Sequence, residues 1–438
     1  MDTAVGWVPV ELLVRCLSFI DDECDAREVR CVSKVWRRAL LESRESLSFR
    51  CRSVAEETSS VEHIHELGTL FPLARHLKIV AWPSRPFDAV YFTLSRPLKF
   101  SPQLSRVTLH KVTVDAMALE CLFHTEQLRE FKCTQVEFVD VGRWKRGSLG
   151  GVRRLYLSDC QFVSARRVAR LTEKKKALGA FLGGFSPCEL TLDTMELSDD
   201  LLGSYLSQLD KLTSLNLAGS RGFSHRAIAR LPKFKLKELV LSACWVLNDE
   251  MCRVICEVCP GLECLGVYEG QISTTTVHLI SCLCHLTTLD MGYSDGDVSP
   301  IDLQQMLHKL KGLTVLNLGG VGAVNDFVMQ QIGQMKTLKR LDISGCPGLT
   351  SNGFQALSSL ESLEDLACGW TSKLGDKEVM ALPESLERLD VSYASALTDA
   401  GLEHLMRLVR LKELKLTSCK VSGEGIERIK TRGVMVMA

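Results

Sequence analysis

The feature that most constrains this chain is a short motif that returns at a nearly fixed interval. It is an apolar residue, two others, a leucine, one other, then a second apolar residue, often with a cysteine three positions later. It reads Leu236, Leu239, Leu241 and Cys244, again Leu338, Leu341, Ile343 and Cys346, and again Leu411, Leu414, Leu416 and Cys419. Unit starts fall at Ala74, Leu104, Leu128, Val152, Pro187, Leu212, Leu236, Leu262, Leu286, Leu313, Leu338, Leu363, Leu386 and Leu411. From Leu212 onward the intervals are 24, 26, 24, 27, 25, 25, 23 and 25 residues. Such a period marks a stack of small supersecondary units, none able to bury its own apolar face alone. The 438-residue length agrees, because a single core stops growing at roughly 250 to 300 residues.

Each interval reads as one strand and one helix. In the strand Leu239 and Leu241 point one way while Glu238, Val240 and Ser242 point the other. A polar start then precedes an apolar face at helical spacing: Asp199 and Asp200 before Leu202 and Leu206, Asn325 and Asp326 before Val328 and Ile332, Thr398 and Asp399 before Leu402 and Leu405. Short polar side chains there accept hydrogen bonds from the free amides of the first helical turn. Two intervals are irregular. The one from Ala74 holds Trp82, Pro83, Pro86 and Tyr91; the one from Val152 holds Lys174, Lys175, Lys176 and a Gly-rich run, and both read as loops at one edge of the stack.

These residues resemble the cysteine-containing class of leucine-rich repeats over 46–438. The resemblance implies an α/β fold, a leucine-rich-repeat solenoid of about fourteen repeats, horseshoe-like, with a parallel inner β-sheet and outer helices. The first 45 residues do not follow the period. Pro9 and Glu11 suit a helix start, Leu12, Leu13, Cys16, Leu17 and Ile20 form an apolar stripe, and Val29, Val32, Trp36 and Leu40 form a second. The strings VPVELLVRCLSFID and VSKVWRRAL are similar to an F-box, the segment by which substrate receptors attach to the Skp-type adaptor of cullin ubiquitin ligases. By that resemblance Pro9, Leu12, Leu13, Leu17, Ile20, Val32 and Trp36 supply the adaptor-binding surface of a helical domain spanning 1–45. Val8 and Ile20 stand where leucines are usual, and Ala26 follows Asp25 where leucine is usual. The alternative is that the head only caps the first repeat of a non-degradative scaffold.

Chemistry of the chain's own is not expected. No Walker-type or dinucleotide-type glycine loop occurs, and no histidine sits in a recognisable nucleophilic arrangement. A GTPase-activating role would need a catalytic loop arginine, which nothing marks. Cys252, Cys256 and Cys259 have helical spacing beside Val254, Ile255 and Val258, which reads as buried thiols and not as a zinc site; no cofactor or metal is expected. No secretory signal is visible and no stretch approaches eighteen apolar residues, so a membrane is not an expected partner. The eighteen cysteines then read as free thiols in a reducing compartment, cytoplasmic or nuclear.

Function is expected on the exposed strand face. The residue between the second and third apolar positions reads Lys78, Thr108, Lys132, Tyr156, Thr191, Asn216, Val240, Gly266, Asp290, Asn317, Asp342, Ala367, Asp390 and Lys415. Asp290, Asn317, Asp342 and Asp390, with Tyr293, Trp370 and Tyr393 beside glycines, form the expected target-binding set, since large aromatics dominate interface energetics. Net charge is zero, but Arg143, Lys145, Arg146, Arg153, Arg154, Arg166, Arg167, Arg170, Lys174, Lys175 and Lys176 face only Asp159 and Glu173 in their segment. This basic patch would suit an acidic protein or RNA, or be solvated surface.

Overall fold

The computed structural model describes residues 46–51, 74–81, 92–94, 102–123, 127–141, 151–163, 171–233, 235–244, 246–371 and 373–438. The head expected over 1–45, with Pro9, Leu12, Leu13, Leu17, Ile20, Val32 and Trp36, lies outside them, as do Arg143, Lys145, Arg146, Arg166, Arg167 and Arg170. The chain divides into two compact units, up to Leu197 and from Ser198.

In the second unit ten three-residue strands run parallel in chain order: Ser214–Asn216, Glu238–Val240, Cys264–Gly266, Thr288–Asp290, Val315–Asn317, Arg340–Asp342, Asp365–Ala367, Arg388–Asp390, Glu413–Lys415 and Met435–Met437. Register aligns the central leucines of the first nine, Leu239 with Leu265, Leu316 with Leu341, Leu366 with Leu389. All of these are buried. At roughly 25 cal/mol per Å2 each buried leucine contributes about 2 kcal/mol, and that burial exists only because another unit lies on either side. Helices such as Asp249–Val258, Pro300–Lys309 and Asp326–Ile332 follow the strands, as the periodicity predicts. After Asp365–Ala367 a single 3-10 turn, Glu378–Ala381, replaces the α-helix.

The first unit departs from the expected alternation of strand and helix. Six parallel strands, Ser46–Cys51, His76–Ala81, Arg106–His110, Glu130–Thr134, Arg154–Ser158 and Glu189–Asp193, follow one another. A second parallel sheet of Phe92–Leu94, Val112–Asp115, Glu137–Val139 and Gln161–Val163 takes space that helices occupy later. Val112, Val114, Phe138 and Phe162 are buried, and β-branched and aromatic residues in alternation suit a pleated surface. Phe138 stacks on Phe162 at 4.8 Å, with Phe181 of the helix Leu171–Leu182 at 4.9 Å from Phe138. With Ser46–Cys51 and Met435–Met437, the described residues carry sixteen main-ladder strands instead of fourteen; both extra strands lack the full leucine motif.

Neighbouring units are tied at two further points. Cys244, Cys346 and Cys419 donate their thiols to the carbonyls of Leu217, Leu318 and Val391 one unit earlier, at 3.0, 3.2 and 3.2 Å. Ser294 makes the same bond to Val267 at 3.1 Å, so the position calls for a small donor and not for sulfur as such. Burial pushes the thiols of Cys252, Cys259 and Cys346 up to about 12.

The second tie is a relay of helix starts. Asn248 caps its own helix by accepting from Met251 N–H at 2.9 Å. The next residue, Asp249, reaches the following unit and accepts from the hydroxyls of Ser273 and Thr276 at 2.6 and 2.7 Å. Asp326 likewise accepts from Thr350 N–H and Oγ1 at 2.9 and 2.5 Å, Asp376 from Thr398 at 2.8 and 2.7 Å, and Asp399 from Ser422 N–H at 2.8 Å. Each carboxylate also sits near the positive end of a helix dipole.

Replacing Asp326 with Ala removes both bonds to Thr350 and should lower stability by about 1 to 2 kcal/mol in urea denaturation. Hydrogen bonds from Ser273, then Thr276, hold the Asp249 carboxyl below the usual carboxylate range, and those from Ser422 do so for Asp399. A carboxylate depressed on folding contributes stability above its unfolded value of about 4, lost as pH falls through the folded value, so the melting temperature should drop between about pH 5 and 3. In native thiol alkylation, exposed Cys282 and Cys284 should react, while buried Cys244, Cys346 and Cys368 should react only on unfolding.

Candidate functional site: an aromatic row at the strand ends

Register sets Asp290, Asn317, Asp342, Ala367, Asp390 and Lys415 side by side on the open face of the second unit, as the sequence predicts. Their first task is local. Asp290 Oδ1 accepts from Gly292 N–H at 3.1 Å, Asn317 from Gly319 at 3.0 Å, Asp342 from Ser344 at 2.8 Å and Asp390 from Ser392 at 3.0 Å. Each is an Asx turn that bends the chain out of its strand. The carboxylates also differ among themselves. Lys415 lies 3.8 Å from Asp390, whereas Asp290 and Asp342 form no ion pair among the described residues. Burial, then the charge of Asp342, raises the Asp290 carboxyl, against hydrogen bonds from Gly292 and Asn317. Two residues earlier on the strands Arg388 is bound by Asp365 and lies 3.8 Å from Glu387, so cations stand among the carboxylates of this face. The cleft over these strands, lined by Asn317, Arg340, Asp342, Asp365, Arg388 and Asp390 among others, has a volume of about 280 Å3. That is small for a metabolite pocket, which usually starts near 300 Å3, but ample for one side chain of a docked segment.

The residue three after each position of this row from Asp290 to Asp390, Ala367 included, has a left-handed backbone. It is Tyr293 (φ 53°), Gly320 (71°), Gly345 (65°), Trp370 (55°) and Tyr393 (61°). Glycine adopts this conformation freely; an L side chain costs about 1 to 2 kcal/mol there. Three of the five positions nonetheless carry the largest side chains, and these point outward: Trp370 is 61% exposed, Tyr293 47% and Tyr393 40%. Trp370 and Tyr393 stack with centroids 3.8 Å apart and planes 20° from parallel, and Tyr268 lies 5.5 Å from Tyr293. A side chain on Gly320 would come within 2.9 Å of the Tyr293 ring, while Gly345 leaves the space between the pairs open. Three strand spacings, about 14 Å, separate the Tyr293 and Trp370 backbones.

All seven expected target-binding residues therefore belong to one surface. The described part of the basic segment does not assemble in the same way. Arg154 lies on a strand and bonds Glu130 at 3.1 Å and Glu189 at 3.5 Å, Arg153 is exposed just before it, and Lys174, Lys175 and Lys176 lie in the helix Leu171–Leu182. Among the described residues no group of His, Cys, Asp or Glu is arranged to hold a metal ion, and no helix is long and apolar enough to cross a membrane. Replacing Trp370 with Gly removes left-handed strain and also the stack on Tyr393, worth about 0.5 to 1.5 kcal/mol. The two nearly cancel, so thermal unfolding should keep its midpoint within a few degrees.

A family model described as Leucine Rich repeat matches residues 334–358 and 411–430. F-box/LRR-repeat protein 4 of Bos taurus is 30% identical over 170 residues, 37% of this chain and 27% of that protein. A Caenorhabditis elegans protein named provisionally as RNA-binding is 29% identical over 178 residues, 39% of this chain and 24% of that one. The matched stretch thus spans about a quarter of the length of these relatives. Among solved structures, the yeast Rad7 and Elc1 complex holds a chain similar in fold, with TM-score 0.50 and 13% identity over 77% of this chain and 75% of that one. The repeats, the strand ladder and the family model that matches two stretches of them give the chain a leucine-rich-repeat fold, and part of it is similar to an F-box/LRR-repeat protein.

Proposed function

We propose that this protein is the target-recognition subunit of an SCF-type ubiquitin ligase. Its head would bind a Skp-type adaptor through Pro9, Leu12, Leu13, Leu17, Ile20, Val32 and Trp36. The ladder of the second unit would hold a protein target, and ubiquitin transfer would be performed by the cullin-bound subunits. The observation that carries the recognition half is the exposed Trp370–Tyr393 stack, held against its backbone preference. Residues kept in a strained conformation with their apolar faces in water are more useful to a partner than to the fold. The adaptor half rests on the F-box-like string and on the F-box/LRR-repeat relative.

The target segment on this reading carries Lys or Arg. Its cation meets the unpaired Asp290 and Asp342 around Asn317, its flanking residues pack on Tyr293, Trp370 and Tyr393, and Asp390 is available once Lys415 swings aside. The charges set register and association rate while the aromatics supply most of the affinity. The chain itself performs no chemistry on this reading and works in the cytoplasm or nucleus.

Affinity purification of the intact protein from its own cells, followed by mass spectrometry, should return an adaptor, a cullin and a target. Exchanging Leu13 and Leu17 for Asp should remove adaptor and cullin but keep the target, because repeat contacts are nearest-neighbour. The Trp370→Ala, Tyr393→Ala variant should do the reverse, weakening the target by at least about tenfold, the equivalent of 1.4 kcal/mol. Capture of a target by the intact chain with no adaptor would make it a scaffold instead.

A further inference from the structure

The open face of the first unit carries a different surface, opposite in sign to the aromatic row. Register places Lys78, Thr108, Lys132 and Tyr156 side by side, one on each successive strand. The row two residues earlier is internally compensated, since Glu130 lies 3.2 Å from Arg106 and 3.1 Å from Arg154. The lysine row is not. Lys78 and Lys132 are both exposed and neither forms an ion pair among the described residues; the Lys132 ammonium lies 5.9 Å from the centre of the Tyr156 ring. Two residues along from Thr108 stands His110, followed by Lys111 with φ 55°. Burial, then the charges of Lys111 and Lys78, lowers the His110 pKa against a backbone hydrogen bond at Thr134.

We propose that this face docks an acidic polypeptide segment, lying extended across the strands with carboxylates about three residues apart. Two strand spacings separate Lys78 from Lys132, about 10 Å, and a chain extended in the polyproline II conformation covers that distance in about three residues at roughly 3.1 Å each, with side chains three apart on one face. One carboxylate then meets each ammonium, and the Thr108 hydroxyl between them is placed to donate to either. A continuous phosphate backbone fits less well. Glu130, Glu189 and Asp193 line the adjoining rows, and Asp193 already accepts from Ser158 Oγ at 2.6 Å. Base stacking would need open aromatic faces, yet Tyr156 is half-buried, its hydroxyl donates to Glu189 at 3.2 Å and Lys132 stands over its ring. Discrete carboxylates can choose the lysines and avoid the acidic rows; a uniform polyanion cannot.

The test is fluorescence anisotropy on the full chain with three labelled probes: a Gly/Ser peptide with Asp at every third position, the same peptide with Asn, and a single-stranded RNA of matched length. The Asp peptide should bind, weaken as salt is raised, and outbind both others. The Lys78→Glu, Lys132→Glu variant should lose at least about tenfold in affinity with its melting temperature unchanged, and the Lys78→Gln, Lys132→Gln variant should lose less. Equal binding of the Asp and Asn peptides would overturn the proposal. So would a folded charge-reversed variant that binds as the parent does, or RNA binding more tightly than the Asp peptide and losing it to the same substitutions.

Discussion

Every repeat of this protein is held by the repeats beside it, and that dependence organises the rest. The strands of the second unit are three residues long, far too short to be stable by pairing alone, and nine of the ten described offer a central leucine that only a neighbour on either side can bury. Around that leucine the chain repeats the same couplings: ladder hydrogen bonds, a Cys or Ser donating to the previous unit, and an aspartate accepting from the next helix start. Side chains that take no part in these couplings are free to vary without threatening the fold. The strand face and the turn after it are where that freedom lies.

The turn shows how a structural duty and an exposed aromatic surface arise at neighbouring positions. Asp290, Asn317, Asp342 and Asp390 each spend one side-chain oxygen on a backbone amide just before the chain enters a left-handed residue. A glycine at that residue is what the backbone prefers, and Gly320 and Gly345 oblige. Tyr293, Trp370 and Tyr393 do not, and the left-handed geometry is what lifts their rings clear of the ladder into solvent. The two glycines then form a floor between the two aromatic pairs. Conformational strain, exposure and the gap thus share one position, the left-handed residue after each strand, which recurs whether or not an Asx turn precedes it.

Net charge conveys little about such a protein, because the ladder sorts charge by row and by unit. In the first unit, Arg106, Glu130, Arg154 and Glu189 neutralise one another along one row while Lys78 and Lys132 remain uncompensated in the next. In the second, Arg388 and Lys415 offset Asp365 and Asp390, while Asp290 and Asp342 form no ion pair among the described residues. A total of zero therefore conceals one cationic and one anionic face.

Period and residue type alone were enough to specify the parallel order, the inward leucines, the helix-capping residues and the alignment of the row from Asp290 to Lys415. All of these follow from interactions between residues close in sequence or exactly one unit apart. The second sheet of the first unit was missed because Val112–Asp115 and Glu137–Val139 are too short for an alternating pattern to stand out from a helical one. The aspartate relay was missed for a different reason: Asp326 after Asn325 reads as part of its own helix start, and nothing local says that its carboxylate reaches Thr350. Tertiary structure also decided which charges remain uncompensated. Whether Asp342 or Lys132 has a partner depends on side chains roughly 24 to 27 residues away, brought within reach only when the units stack. The sequence by itself determined that units must stack and in what register, because apolar burial is periodic; the stacked structure decided what each exposed side chain faces, because that is a property of neighbours and not of the repeat.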